Sequence, residues 1–365
     1  MALRCGLVGL PNCGKSTLFN ALTKAGAQTA LYPFSTIDPN VGVMEVADER
    51  LDAVAGVTRP KAVVSAAIEY VDLAGLVKGA NRGEGLGNQF LAHIREVDAL
   101  LHIVRAFQDP QVPHVDGTLD PVRDIETVSY ELLLADLETV AKRQEKTSRK
   151  LRSGERRYQG EVEQLKALEA LLGRGVSARH AGPEAGRGGV FEELFLLTAK
   201  PTLYVVNVGE KTTAPEEDPL FAATAAYAKG QGAVVIAVPA KLEAELVELE
   251  PADRGVFLNE LGWAKSTLPD LVRRSFALLD LVTFFTVNEN ELHAWTVPRG
   301  TTAPAAAGKV HSRMEKGFIR AEAVDWSDLV RAGSMAAARE SGRVHVEGRE
   351  YRVKDGDILY FRFNP

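Results

Sequence analysis

Gly9-Leu10-Pro11-Asn12-Cys13-Gly14-Lys15-Ser16-Thr17 follows the apolar run Leu3 to Val8 and opens onto the helix-like Thr17-Leu18-Phe19-Asn20-Ala21-Leu22. The pattern G-x-x-x-x-G-K-S/T in that strand, loop and helix context is a phosphate-binding loop. Gly9 and Gly14 let the backbone curl so that successive N–H groups point at a phosphate, and the helix N-terminus adds partial positive charge. Asn12, Cys13, Gly14, Lys15, Ser16 and Thr17 are therefore the expected phosphate-binding residues. Lys15 is expected to reach the β- and γ-phosphates, and Ser16 to hold Mg2+.

Downstream, Ala30 to Asn40 is a loop punctuated by Pro33 and Pro39, followed by the strand-like Val41 to Val46. In nucleotide switches such a loop carries a threonine that meets Mg2+ and the γ-phosphate, and Thr36 is the candidate. A second apolar strand, Ala67 to Val71, delivers Asp72-Leu73-Ala74-Gly75. At that distance after a phosphate loop, Asp72 suits the water shell of Mg2+, and the Gly75 N–H suits a γ-phosphate. Leu76 stands where Ras-like enzymes carry the glutamine that orients the attacking water, so that role must pass to another group. Lys78 to Gly87 holds four glycines in ten residues and is expected to change shape with the nucleotide. Further on, Pro113-His114-Val115-Asp116-Gly117 sets a histidine in a polar loop. Two readings of His114 stand side by side: it lines the active site and aligns the water, or it is a surface histidine without function.

Leu133, Leu137, Val140, Leu151 and then Tyr158, Val162, Leu165, Leu168 and Leu172 recur at spacings of three and four. They predict an antiparallel helical hairpin from about Glu126, turning near Ser153-Gly154. Between Lys142 and Arg157 the chain carries eight basic and two acidic residues, a local charge of +6 that leaves −12 on the remainder. A projecting basic tip is suited to a phosphate backbone; a merely solvated charged face is the competing explanation. The next buried-type strand, Pro201 to Val206, ends in Asn207-Val208-Gly209-Glu210. GTPases use N-K-x-D at this place, so Val208 and Glu210 damage guanine readout while Asn207 is retained to brace the phosphate loop. After a strand over Ala233 to Val238, Pro239-Ala240-Lys241 occupies the place of the S-A-K loop. From about Leu281 short strands alternate with helical pieces, which predicts a small α+β domain.

The chain has 365 residues, 45% apolar and 25% charged, with a formal net charge of −6. That composition fits a soluble globular protein of two or three domains. No run of about 18 apolar residues and no signal-peptide pattern is present, so a cytosolic protein without membrane or DNA partners is expected. Cys5 and Cys13 are expected to be reduced thiols.

Taken together, Gly9 to Thr17, Tyr32 to Asn40, Asp72 to Ala80, Gly85 to Leu91, the helical insertion, Asn207 to Glu210 and Lys316-Gly317-Phe318-Ile319-Arg320-Ala321-Glu322 resemble the YchF family of Obg-related P-loop NTPases, over essentially the whole chain. The resemblance implies an α/β P-loop NTPase domain with a mostly parallel sheet over 1–125 and 198–280. It further implies an inserted helical hairpin over 126–197 and a C-terminal TGS domain over 281–365. It implies hydrolysis of ATP in preference to GTP, with Mg2+ held by Ser16, Thr36 and Asp72, and association with the large ribosomal subunit and its RNA. By position it sets Val208 at the adenine, with Asn207 and Glu210 beside it. Pro239 departs from the small hydroxyl residue frequent in the S-A-K loop. A phosphotransferase acting on a small metabolite is the alternative; it would need a lid and an acceptor pocket, whereas this chain spends its insertions on an arm and a TGS-like segment. A scaffold with a dead site conflicts with Lys15, Ser16, Thr36 and Asp72.

Overall fold

The computed structural model describes residues 3–29, 40–73, 86–182, 185, 188–288 and 290–364. In chain order the strands are β1 (Leu3–Val8), β2 (Val41–Val46), β3 (Ala62–Val64), β4 (Ala66–Asp72), β5 (Ala99–Ala106), β6 (Thr202–Val208), β7 (Val234–Val238), β8 (Leu281–Val287), β9 (Glu291–Pro298), β10 (Phe318–Asp325), β11 (His345–Glu347) and β12 (Asp357–Phe363). The helices that matter below are α1 (Lys15–Thr29), α2 (Glu49–Thr58), α3 (Leu86–Glu96), α4 (Pro121–Arg152) and α5 (Gln159–Gly173). The chain divides into two compact units, one of residues 1–44 and 69–271, the other of residues 45–68 and 272–365.

The first unit is built on a sheet of order β2-β4-β1-β5-β6-β7, in which β1, β5, β6 and β7 pair in parallel. Every residue of β5 and β6 is buried. A parallel strand covered on both faces reads as one continuous apolar run, and Ala99 to Ala106 is such a run apart from His102 and Arg105. Leu73, Ile94, Leu100, Val128 and Leu132 form one core cluster, which joins α3 and α4 to the sheet. His102 lies inside the sheet against Tyr204, with ring centroids 5.6 Å apart, and burial pushes its imidazole pKa down to about 3.

The helical arm starts earlier than its apolar periodicity announces. Asp120 accepts a hydrogen bond from the Arg123 N–H at 3.1 Å, and Pro121 fits the first helical turn, so α4 begins at 121 rather than near Glu126. At 32 residues it is about 48 Å long. The turn falls at Ser153-Gly154, where Gly154 has φ +99°. Leu133, Val140, Leu165, Leu168 and Leu172 close the contact between α4 and α5. Truncating one such leucine to alanine costs about 2–5 kcal/mol. Lower down, the fully buried Asp136 carboxylate accepts from the Leu197 and Thr198 N–H groups, both at 2.8 Å, and from the Thr198 hydroxyl at 2.7 Å. These bonds clamp the returning chain to α4.

The second unit is a sheet of order β11-β10-β12-β8-β9-β3. Residues 45–68, assigned by sequence to the first domain, group instead with the C-terminal segment. The reason is pairing: Ala62, Val63 and Val64 of β3 run parallel to Glu291, Leu292 and His293 of β9. Arg50 in α2 adds an ion pair to Asp355 at 2.7 Å, with Asp48 at the same distance on its other side. Val282, Phe284, Val297, Ala323 and Leu359 form the core of this unit.

Candidate functional site

The loop after β1 takes its shape from backbone demands that only its own residues meet. Asn12 has φ +64° and Gly14 φ +92°, the left-handed region that asparagine tolerates and glycine enters freely. A Cβ on Gly14 would lie 2.1 Å from Asn207 Nδ2, and one on Gly9 would lie 2.6 Å from the Ile103 carbonyl oxygen. Those close approaches are used. Asn207, at the end of β6 and 5% exposed, donates from Nδ2 to the Cys13 carbonyl at 2.9 Å and accepts the Ala240 N–H on Oδ1 at 3.0 Å. Cys13 is buried, and burial pushes its thiol up to about 11, so its contribution to the loop is the backbone rather than a thiolate.

Lys15 and Asp72 form an ion pair, and the Ser16 hydroxyl lies 3.5 Å from Asp72 Oδ2. The end of β4 thus comes to the first turn of α1. A hydroxyl and a carboxylate are the hard oxygen donors Mg2+ takes, so Ser16 and Asp72 fit that ion. Among the described residues no group of three or more His, Cys, Asp or Glu is arranged for a metal. Thr36, Gly75 and Leu76 lie outside the described residues.

A cavity of about 770 Å3 runs from this loop to the ends of β5 and β6. Asn12 and Gly14 to Thr17 line one end; Phe107, Asn207 to Glu210 and Lys241 line the other. Its volume falls in the range of small-molecule and cofactor sites. Lys241 Nζ lies 3.3 Å from the Glu210 carboxylate, which holds the lysine above its usual pKa, and the Glu210 carbonyl accepts from Trp263 Nε1 at 2.7 Å. Asp72 lines a second hollow of about 320 Å3 with Arg4, Asn40, His93 and Glu96. Lys15, which lines the first cavity, and Asp72, which lines the second, form the ion pair described above.

His114 is not among the cavity-lining residues. The Asp116 N–H donates to its Nδ1 at 3.1 Å, so Nε2 carries the proton and donates to Asp124 at 2.8 Å. Burial raises the Asp124 carboxyl against the lowering effect of that histidine. The segment nevertheless touches the phosphate loop, since Asn12 Nδ2 donates to the Pro113 carbonyl at 3.0 Å. Two residues escaped notice in sequence. Arg105, 4% exposed, donates to the carbonyls of Asn12, Phe107, Val112 and Pro113, and Phe107 is one of the residues lining the cavity. A charged residue inside an otherwise unbroken buried strand was the available signal for Arg105.

Residues 281–364 match the YchF-GTPase_C family, described as a protein of unknown function, and residues 4–146 match the MMR_HSR1 family, described as a 50S ribosome-binding GTPase. The chain is 49% identical over 365 residues to "Ribosome-binding ATPase YchF" of Bacillus subtilis strain 168, with 100% of both chains covered. It is 43% identical over 364 residues to the protein of that name from Escherichia coli O157:H7, again covering 100% of both. Among solved structures, the Schizosaccharomyces pombe YchF GTPase superposes with a TM-score of 0.86 at 34% identity, covering 99% of this chain and 97% of that one.

Proposed function

The chain belongs to the YchF family, and on that premise we propose that it is a Mg2+-dependent ATPase working in the cytoplasm as a nucleotide-dependent switch on the ribosome. The observation that carries this reading is the cavity that joins the phosphate loop to the Asn207 to Glu210 terminus of β6.

The triphosphate lies along Asn12 to Thr17, and Lys15 exchanges the Asp72 carboxylate for β- and γ-phosphate oxygens. Ser16 and Asp72, with Thr36, would hold Mg2+, which would supply positive charge against the phosphate oxygens. The base lies between Phe107 and the Val208 end. Guanine recognition needs a carboxylate free to accept two donors side by side. Glu210 is one methylene longer than the aspartate of N-K-x-D and is engaged by Lys241, so adenine is the favoured base. Leu76 offers no hydrogen bond to water. Either His114, released from Asp124, or the Gly75 backbone brings the nucleophile into line.

The relatives' names carry the ribosome, and the 50S description of the matched family points to the large subunit. On this chain, the exposed basic residues Lys146, Arg152 and Arg156 at the arm's turn are the element suited to ribosomal RNA. Cosedimentation with intact ribosomes and with separated subunits, in the presence of ATP, of ADP and of neither, tests the proposal. Pelleting with the large subunit that changes with the nucleotide is expected; equal pelleting in all three states would rule out a switch.

A further inference from the structure

Arg105 closes β5 one residue before the end of that strand, and its register partner on β6 is Asn207. Each of these neighbours reaches the phosphate loop: Asn207 at the Cys13 carbonyl, Arg105 at the Asn12 carbonyl, 3.4 Å away. The shorter contacts of Arg105 go elsewhere. Nη2 donates to the Val112 carbonyl at 2.8 Å, Nε to the Phe107 carbonyl at 3.1 Å, and Nη1 also approaches the Pro113 carbonyl at 3.5 Å. The guanidinium carbon sits 4.4 Å from the centroid of the Phe107 ring. None of these partners is a carboxylate. A buried guanidinium normally meets one, so a charge stabilised by four carbonyl dipoles and a ring face marks a group kept for its shape. Its planar fork of five N–H donors reaches three separate stretches of backbone at once, which an ammonium cannot do.

Those stretches are the walls of the cavity. Phe107, Gln108, Asp109 and Val112 line it beside Asn12, whereas Arg105 itself stands behind them. We infer that Arg105 is a positioning residue for nucleotide recognition: it fixes the Phe107 to Val112 wall against the phosphate loop, so that binding of the nucleoside, more than of the phosphates, depends on it. The inference rests on the proposal that this cavity takes ATP.

The test compares dissociation constants for Mg-ATP and for Mg-tripolyphosphate, which lacks the nucleoside, in the unaltered full chain, Arg105→Lys, Phe107→Ala and the double variant, with folding checked by circular dichroism. Stacking of a base on an aromatic ring is worth enough that its loss weakens binding about tenfold. Arg105→Lys and Phe107→Ala should each lose about tenfold or more for ATP and less than threefold for tripolyphosphate. The double variant should be no weaker than the worse single one, because both changes remove the same wall. Equal losses for the two ligands, an unchanged ATP affinity in Arg105→Lys, or losses that multiply in the double variant would overturn the inference. Phe107→Ala leaves every carbonyl partner of the guanidinium in place and decides the matter even where Arg105→Lys does not fold; an ATP affinity within twofold of the unaltered chain's would overturn it. Absence of ATP binding by the unaltered chain would instead remove the proposed function on which the inference stands.

Discussion

Lys241 holds the Glu210 carboxylate at 3.3 Å at the end of the cavity opposite the phosphate loop. The acid that would have to serve guanine is thus already engaged, and Val208 beside it supplies no lysine stem to cover a base. ATP should therefore bind at least as tightly as GTP. Titration of the nucleotide-free chain with each nucleotide checks this; a tenfold preference for GTP, about 1.4 kcal/mol, would contradict it.

The arm's turn should act through its charge. Arg149 pairs with Glu145, and Lys150 packs on Tyr158 with its Nζ 4.6 Å from the ring centroid, so parts of the basic cluster are already ordered. Changing Lys146, Arg149, Lys150 and Arg152 to glutamate should weaken ribosome binding and flatten its salt dependence without altering nucleotide affinity. Ribosome binding equal to that of the unaltered chain would return the cluster to a solvated face.

His114→Ala should lower kcat by about ten- to a hundredfold or more while ATP affinity stays nearly unchanged, because aligning or deprotonating a water contributes about 10² to 10⁴. The ring would have to leave Asp124 first, so the effect should be larger with ribosomes present if they release it. Single-turnover hydrolysis with and without ribosomes is the measurement. An unaltered rate in both would transfer the task to the Gly75 backbone or to a ribosomal group.

Acid should destabilise the first unit through His102. Its folded pKa lies near 3 and its unfolded value near 6.5, so the folded state refuses a proton that the unfolded chain accepts. The stability this confers is complete above pH 6.5 and is lost as pH falls toward 3. Between pH 7 and pH 5 the loss amounts to about 2 kcal/mol. Denaturant unfolding at both pH values should show His102→Phe losing about that much less than the unaltered chain; equal losses would mean the imidazole does not titrate on unfolding.

The phosphate loop is legible in sequence because its requirements are local: Gly14 must adopt φ +92° and must leave room for Asn207, and no other residue type meets both. The buried parallel strands are legible for a similar reason, since two covered faces demand unbroken apolar runs. Arg105 was lost inside such a run, because its role depends on carbonyls of a loop that has no pattern of its own. The direction of the His114 ring was equally hidden, as it is decided by Asp124 ten residues on, in the first turn of α4. The grouping of residues 45–68 had no local signal at all, because a three-residue strand pairing in parallel with a distant one leaves no periodicity to read.

That last pairing also sets a timetable. Lys61 meets Asn290 beside the β3 and β9 ladder, 229 positions further along the chain. At elongation rates of about 5–20 residues per second, β3 and α2 are made roughly 10 to 50 s before their partner strand. During that interval the edge of β3 is unpaired and the guanidinium of Arg50 has no Asp355. The nascent chain therefore carries an early segment that waits for its end, and a stalled or prematurely terminated product would expose a bare strand edge, a recognisable mark for chaperones or proteases.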